Sequence, residues 1–253
     1  MKDEPFAGQD EDAAPKFVLS TIFAEDNLFA GLRFKAHHVF ISSMQVILCL
    51  QPRLIKKGAE ADIYLTTWAG RKAISKIRSP KPYRHVELDR TIRKQRTIRE
   101  ANFMSIAKKA GIESPYVYFV DPKKAEIIME FIEGRNVKDV ITPALCREVG
   151  RYSALLHSIN IVHGDLTTSN FIIDKKRLVL LDFGLSYYSE RTEDVATDLR
   201  LIKEVLASAH IRVRGAYERF VEGYVSIAGK KKTDRILENV REIEQRGRYA
   251  RVT

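Results

Sequence analysis

Cysteine is scarce in this chain. Two residues among 253, Cys49 and Cys146, cannot make a disulfide framework, and both sit in apolar stretches, which suits a reducing cytoplasm. Long apolar runs are also missing. The longest one toward the N-terminus, residues 39–50, is interrupted by Ser42, Ser43 and Gln45, is too short to cross a bilayer, and lacks the flanks of a cleaved signal. No membrane association and a cytoplasmic location are therefore expected. No internal repeat is visible. His157 and His163 lack the paired spacing of a zinc-type site and read as structural, His157 packing or capping a helix and His163 bracing a loop.

What remains is 45% hydrophobic and 30% charged, the balance of a globular chain with a full core rather than a disordered one. The net charge of +10 is uneven: residues 71–109 hold thirteen Lys and Arg against Glu87, Asp89 and Glu100. Such a block is either a solvated face or an attraction for a polyanion such as nucleic acid. Residues 1–15 are acidic and lack apolar periodicity, so disorder is expected there. Residues 1–43 as a whole read as a disordered or dispensable extension, with Met44 a sensible start for a compact domain.

The most informative segment is residues 163–184, HGDLTTSNFIIDKKRLVLLDFG. It carries Asp165, then Asn170, a short hairpin (171–173 with 178–181), and Asp182-Phe183-Gly184. Phosphoryl transfer from ATP needs one carboxylate to meet the incoming hydroxyl, and an amide oxygen and second carboxylate to hold the metal ions that bridge the phosphates. The hairpin is expected to fold Asp182 back beside Asn170. A polar turn before a buried hairpin would explain either motif alone, but not both at this spacing.

The preceding chain supplies the rest of such a site. Alternation predicts strands over 54–55, 61–65, 72–77, 117–120 and 126–131. A long helix is predicted over 87–110, ending at Gly111. Lys76, in Ala73-Ile74-Ser75-Lys76, stands where a kinase keeps its phosphate-holding lysine; Lys72 is the competitor at the strand entrance. Glu100 is the only acid on the helix after Asp89 and is the expected partner of Lys76, an i,i+4 pair with Arg96 being the plainer role. Ile74 shares a face with Lys76 and could roof the adenine. The turn at Gly58, one strand earlier and followed by Ile63, has a single glycine where kinases have three. In Met129-Glu130-Phe131-Ile132 the backbone groups of Glu130 and Ile132 would meet the adenine edge, with Met129 behind it. Strands first and helices later predict an α+β, two-lobed protein-kinase-like fold. Its small β-rich N-lobe would span 44–132 and its reduced helical C-lobe 133–253.

Residues 54–252 resemble the small atypical kinase of the KEOPS complex, the PRPK or bud-site-selection kinases. The resemblance rests on residues 56–64 (KKGAEADIY), on Lys81, Tyr83, Arg84 and His85 with Leu88-Asp89, on Arg96, Arg99, Glu100 and Ala101, and on residues 163–170 (HGDLTTSN). Only thirteen residues separate Gly184 from Asp198, and no APE sequence follows, as in kinases with a shortened activation segment; Asp198 would be the buried acid anchoring the C-lobe. The resemblance implies an ATP-hydrolysing, autophosphorylating Ser/Thr kinase with ATP and Mg²⁺ as its cofactors. It implies work within KEOPS, which places threonylcarbamoyl on an adenosine beside the anticodon of certain tRNAs. It also implies contact with the threonylcarbamoyl-transferase subunit, a further small subunit on the N-lobe, and tRNA contact through a basic tail matching Arg246, Gly247 and Arg248. Here Tyr249, Ala250 and Arg251 replace part of the family's basic run.

Two other function classes fit parts of the pattern. A small-molecule phosphotransferase of the aminoglycoside or choline kinase type also carries HGD followed by Asn, but such enzymes have larger helical C-lobes than the 69 residues after Gly184 allow. A catalytically silent tRNA-binding scaffold would have no need of Lys76, Glu100, Asp165, Asn170 and Asp182 together.

Overall fold

The computed structural model describes residues 52–249. The expectations for residues 1–43, Cys49 and Arg251 lie outside the described residues.

Five antiparallel strands form the first half: β1 (Arg53–Lys57), β2 (Asp62–Trp68), β3 (Arg71–Ile77), β4 (Val117–Asp121) and β5 (Glu126–Glu130), in the order β1-β2-β3-β5-β4. β2 and β3 join through a two-residue turn. Ala69 (φ 48°) and Gly70 (φ 76°) both take positive φ, as the hairpin turn matching strand twist demands. β3 is central: Lys76 pairs with Ile63 on one side and Ile127 on the other.

Helix α1 (Val86–Lys109) crosses this sheet, carrying Glu87 and Asp89 in its first turn and Lys108 and Lys109 in its last, the arrangement its macrodipole favours. It buries Thr97, Glu100, Ala101, Phe103, Met104 and Ala107, a stripe at helical spacing.

Beyond Glu130 the chain enters a second, helical half. Strand β6 (Arg135–Asn136) already pairs with that half's own hairpin. There follow α2 (Val137–Val140), α3 (Pro143–Ser158), β7 (Ile161–Val162), a 3₁₀ turn (Thr168–Asn170), the hairpin β8 (Phe171–Asp174) and β9 (Arg177–Leu180), a second 3₁₀ turn (Phe183–Leu185) and β10 (Tyr187–Tyr188). Helices α4 (Thr192–Ala209), α5 (Ala216–Ala228) and α6 (Lys230–Tyr249) complete it. Thr142 caps α3, its Oγ1 accepting from Leu145 N at 3.2 Å, and Pro143 opens the helix, where its missing N–H costs nothing. The short strands β6, β7 and β10 were not expected, because two residues are too few to show an alternating pattern.

Helices α3 and α5 meet backbone to backbone. A Cβ on Gly150 would lie 2.0 Å from Phe220 O, and one on Gly223 would lie 1.9 Å from Arg147 O. One continuous core runs through both halves, from Phe103, Met104 and Ile127 through Leu166, Phe171 and Phe183 to Leu199, Phe220 and Tyr224. The architecture is the expected two-part, protein-kinase-like one. Among the described residues no helix is long and apolar enough to cross a membrane.

Candidate active site

The site forms where β3, α1 and the two loops flanking the β8–β9 hairpin converge. Lys76 is 7% exposed. Its Nζ donates to Glu100 Oε1 at 2.6 Å and to Asp182 Oδ1 at 2.7 Å. Burial works to lower the Lys76 pKa, but the Glu100 and Asp182 carboxylates outweigh it and hold the ammonium above the ordinary lysine value. The same balance acts on Asp182, where burial works to raise the pKa and Lys76 holds the carboxyl below its usual range. Lys72, the competitor, is exposed, with its Nζ 3.6 Å from Glu133. Arg96, the alternative partner of Glu100, instead reaches Glu60 at 2.8 Å.

Asp182 has left-handed backbone (φ 57°, ψ 69°) and its side chain accepts from Gly184 N at 3.3 Å. Asp is one of the few side chains that tolerate this region, through such a local hydrogen bond. The hairpin returns Asp182 toward Asn170: Leu181 N donates to Asn170 O at 2.8 Å. Asn170 Nδ2 in turn donates to Asp165 O at 2.8 Å and Asp165 Oδ2 at 2.9 Å.

This loop is held from beneath by Asp198, which is buried and accepts from His163 N at 2.6 Å and Gly164 N at 2.9 Å. His163 Nε2 lies 3.0 Å from Leu181 O, and its Nδ1 accepts from Asp165 N at 3.3 Å. His157 sits between Tyr224 Oη (2.9 Å) and Asp198 Oδ2 (3.3 Å). His163 braces the loop, as expected, and His157, expected to pack or cap a helix, packs α3 against Tyr224 of α5 and Asp198 of α4.

A cavity of about 270 Å³ opens over this cluster, with Gly58, Ile63, Lys76, Asp165 and Asp182 among its lining residues. A Cβ on Gly58 would lie 2.4 Å from Ala61 O, so only glycine fits this turn. Ile74, Met129, Glu130 and Ile132 are not among that cavity's lining. Ile74 pairs with Met129 across β3 and β5, and Met129 and Ile132 are buried. The Glu130 amide donates to Tyr116 O at 2.8 Å, so the group it can offer a base edge is its carbonyl.

A model of the protein kinase domain matches residues 57–209. The KEOPS complex subunit Bud32 of Pyrococcus abyssi is 42% identical over 211 residues, covering 78% of this chain and 96% of that protein. The chain belongs to the Bud32 family of protein kinases. A Methanobrevibacter smithii protein named "Probable bifunctional tRNA threonylcarbamoyladenosine biosynthesis protein" is 42% identical over 221 residues, 86% of this chain but 41% of that protein. This kinase thus spans about two fifths of that relative's length. The solved structure titled "WaaP in complex with acyl carrier protein" superposes with a TM-score of 0.52 at 14% identity, over 83% of this chain and 92% of that one, a likeness of fold alone.

Three features of the kinase were not apparent from the sequence. The single-glycine turn is fastened from outside: Lys81 Nζ donates to Ala59 O, Arg96 pairs with Glu60, and Ser79 Oγ donates to Asp62 Oδ2 at 3.0 Å. Arg177 ties the segment between the halves to the hairpin, 2.9 Å from Glu130 Oε1 and 3.6 Å from Asp174. Arg78, buried beside Lys76, donates from Nη2 to Glu100 Oε2. Its alternation with Ile74 and Lys76 was the available signal, masked by the surrounding run of surface-like charges.

Proposed function

We propose that this chain is an ATP-dependent Ser/Thr protein kinase and ATPase that serves as the kinase subunit of a KEOPS complex, in the threonylcarbamoyladenosine modification of tRNA. The observation that carries the reading is Lys76 Nζ held between Glu100 and Asp182, with Asp165 and Asn170 joined beside them. The 42% identity to a KEOPS subunit over nearly that subunit's whole length supports the assignment to KEOPS.

In this reading Lys76 holds the α- and β-phosphates, oriented by Glu100, and the Gly58 turn covers them with Ile63. Ile74 and Met129 flank the adenine, whose edge meets the backbone of Glu130 and Ile132. Asp182 and Asn170 would hold Mg²⁺ through side-chain oxygens, the donors this cation prefers; the direction of both Asn170 amide protons toward Asp165 leaves Oδ1 for that role. Bound there, Mg²⁺ supplies charge neutralisation at the phosphates. Asp165 accepts the proton of the incoming hydroxyl, or of water in ATP hydrolysis, on a carboxylate oxygen.

The proposed partners are the threonylcarbamoyl-transferase subunit, a small subunit on the N-lobe, and tRNA, which the tail Arg246, Arg248 and Arg251 would contact. The proposed location is the cytoplasm. ATP turnover by the purified chain, alone and with the transferase subunit plus tRNA, tests the reading. Turnover stimulated by the subunit and tRNA is expected. Turnover stimulated only by small alcohols would replace it with a small-molecule phosphotransferase, and no turnover under any condition would leave a scaffold.

A further inference from the structure

Arg78 lies two residues past Lys76 and is only 4% exposed. Its Nη2 holds Oε2 of Glu100 while Lys76 holds Oε1. Glu100 therefore stands between two cations, where the usual kinase Lys–Glu pair has one. The Arg78 Nε is buried with no hydrogen-bond partner. A buried guanidinium with an unpaired donor is not held in place by full hydrogen bonding; the carboxylate it faces offsets its burial. Its main chain is fixed on both sides, with N donating to Ala125 O at 3.0 Å and O accepting from Arg93 Nη1 at 3.4 Å. The start of the activation segment packs on the same group: a Cβ on Gly184 would lie 2.9 Å from Arg78 Nη2 and 3.0 Å from Asp182 Oδ1.

Lys76 has two carboxylates to serve, Glu100 at 2.6 Å and Asp182 at 2.7 Å. In the reaction proposed above, Asp182 turns to the metal and Lys76 to the phosphates. Glu100, 1% exposed on α1, would then share its lysine with the nucleotide. We propose that Arg78 is a positioning residue for phosphoryl transfer, the standing counter-ion that keeps Glu100 and α1 seated while Lys76 engages the nucleotide. This rests on the reading of Lys76 and Asp182 as the nucleotide site.

The test uses the full chain and three variants, Arg78→Met, Arg78→Lys and Lys76→Met. Amide exchange without nucleotide comes first. Lys76→Met should keep protection over residues 97–104 within about threefold, while Arg78→Met should lose about tenfold there but not in α3 and α5, since local opening is read segment by segment. Arg78→Lys should regain most of it. Turnover is then counted per nucleotide-binding site, so that unfolded molecules drop out. It should fall about ten- to a hundredfold in Arg78→Met, the scale of a small misplacement of reacting groups. KM for ATP should stay within about threefold, and Arg78→Lys should recover the rate. Wild-type protection of α1 in Arg78→Met overturns the proposal. So does unchanged turnover per site, or a Lys76→Met chain that loses α1 protection as fully as Arg78→Met. Should Arg78→Met fail to fold, Arg78→Gln set against Arg78→Lys makes the same comparison. If the wild-type chain turns over no ATP even with the transferase subunit and tRNA, the kinase reading fails by itself, and the exchange measurement still decides whether Arg78 seats Glu100 and α1.

Discussion

The side-chain amide of Asn170 gives both of its protons to Asp165, one to the main-chain oxygen at 2.8 Å and one to Oδ2 at 2.9 Å. Each residue thereby assigns the other's remaining atom. Asn170 is left with an oxygen, the donor a hard cation prefers. In the proposed reading, Asp165 keeps Oδ1 for a substrate hydroxyl, so that five residues of spacing would give one loop two different chemical roles.

Asp165→Ala should leave ATP binding nearly intact and lower turnover by roughly 10²–10⁴-fold, the scale of losing a general base. Asp182→Ala should weaken metal binding instead, so that added Mg²⁺ partly restores its rate. Equal turnover in Asp165→Ala and wild type would remove Asp165 from the role given to it.

The pair Lys76–Asp182 should shape stability at both ends of the pH scale. The folded Lys76 pKa is raised, so its contribution is full below the unfolded lysine value of about 10.4 and is lost as pH climbs through the folded value. The folded Asp182 pKa is lowered, so its contribution is full above the unfolded value of about 3.9 and is lost as pH falls through the folded one. Lys76→Met should flatten both limbs of a stability–pH curve taken from urea melts. Limbs as steep as those of wild type would contradict the coupling.

The polar site was legible because its residues sit at fixed offsets in loops, where HGD, Asn and DFG at this spacing suit little besides a metal–phosphate site. Lys76 was legible by its place on a strand, and the strands themselves by alternation. The second cation was not. Arg78 belongs to a stretch with thirteen basic residues, and its alternation with Ile74 and Lys76 does not by itself distinguish a guanidinium that burial has closed over from those in solvent. Burial there depends on Glu100 of α1 and the loop at Gly184, which arrive from 22 and 106 residues away. The fastening of the turn by Lys81 and Arg96 was hidden for the same reason. Glu60 and Asp62 read as solvated acids until their partners on other elements are placed. Arg84 and Asp89, only five residues apart in the chain, also lie 3.6 Å from each other.

The crossing of α3 and α5 should tolerate no side chain at either glycine. Gly150→Ala and Gly223→Ala would each drive a methyl group into the facing helix backbone, which cannot swing aside as a side chain can. Each should destabilise the chain by about 1–3 kcal/mol, the range for overpacking a tight interface. Denaturant melts at pH 7 measure it. A Gly150→Ala chain as stable as wild type would mean that the two helices separate at no cost.

The C-terminal tail offers the cleaner test of nucleic-acid contact, because Arg93 and Arg96 on α1 are already engaged within the chain. Arg93 lies 2.7 Å from Asp89 and Arg96 lies 2.8 Å from Glu60. Arg246, on α6, also has acidic neighbours, Glu193 at 3.1 Å and Glu242 at 3.5 Å, but all three side chains are exposed. Exposed pairs of this kind are weak enough to exchange for a phosphate. Neutralising Arg246, Arg248 and Arg251 together should weaken tRNA binding and leave ATP binding unchanged. Each phosphate contact contributes up to about 0.9 to the slope of log affinity against log salt. The slope should therefore flatten by roughly two units if most of the three arginines touch phosphate. A triple variant with wild-type affinity and slope would reduce the tail to a solvated end. It would also shift the tRNA-binding face to α1, whose Arg93 and Arg96 would have to leave Asp89 and Glu60 to reach it.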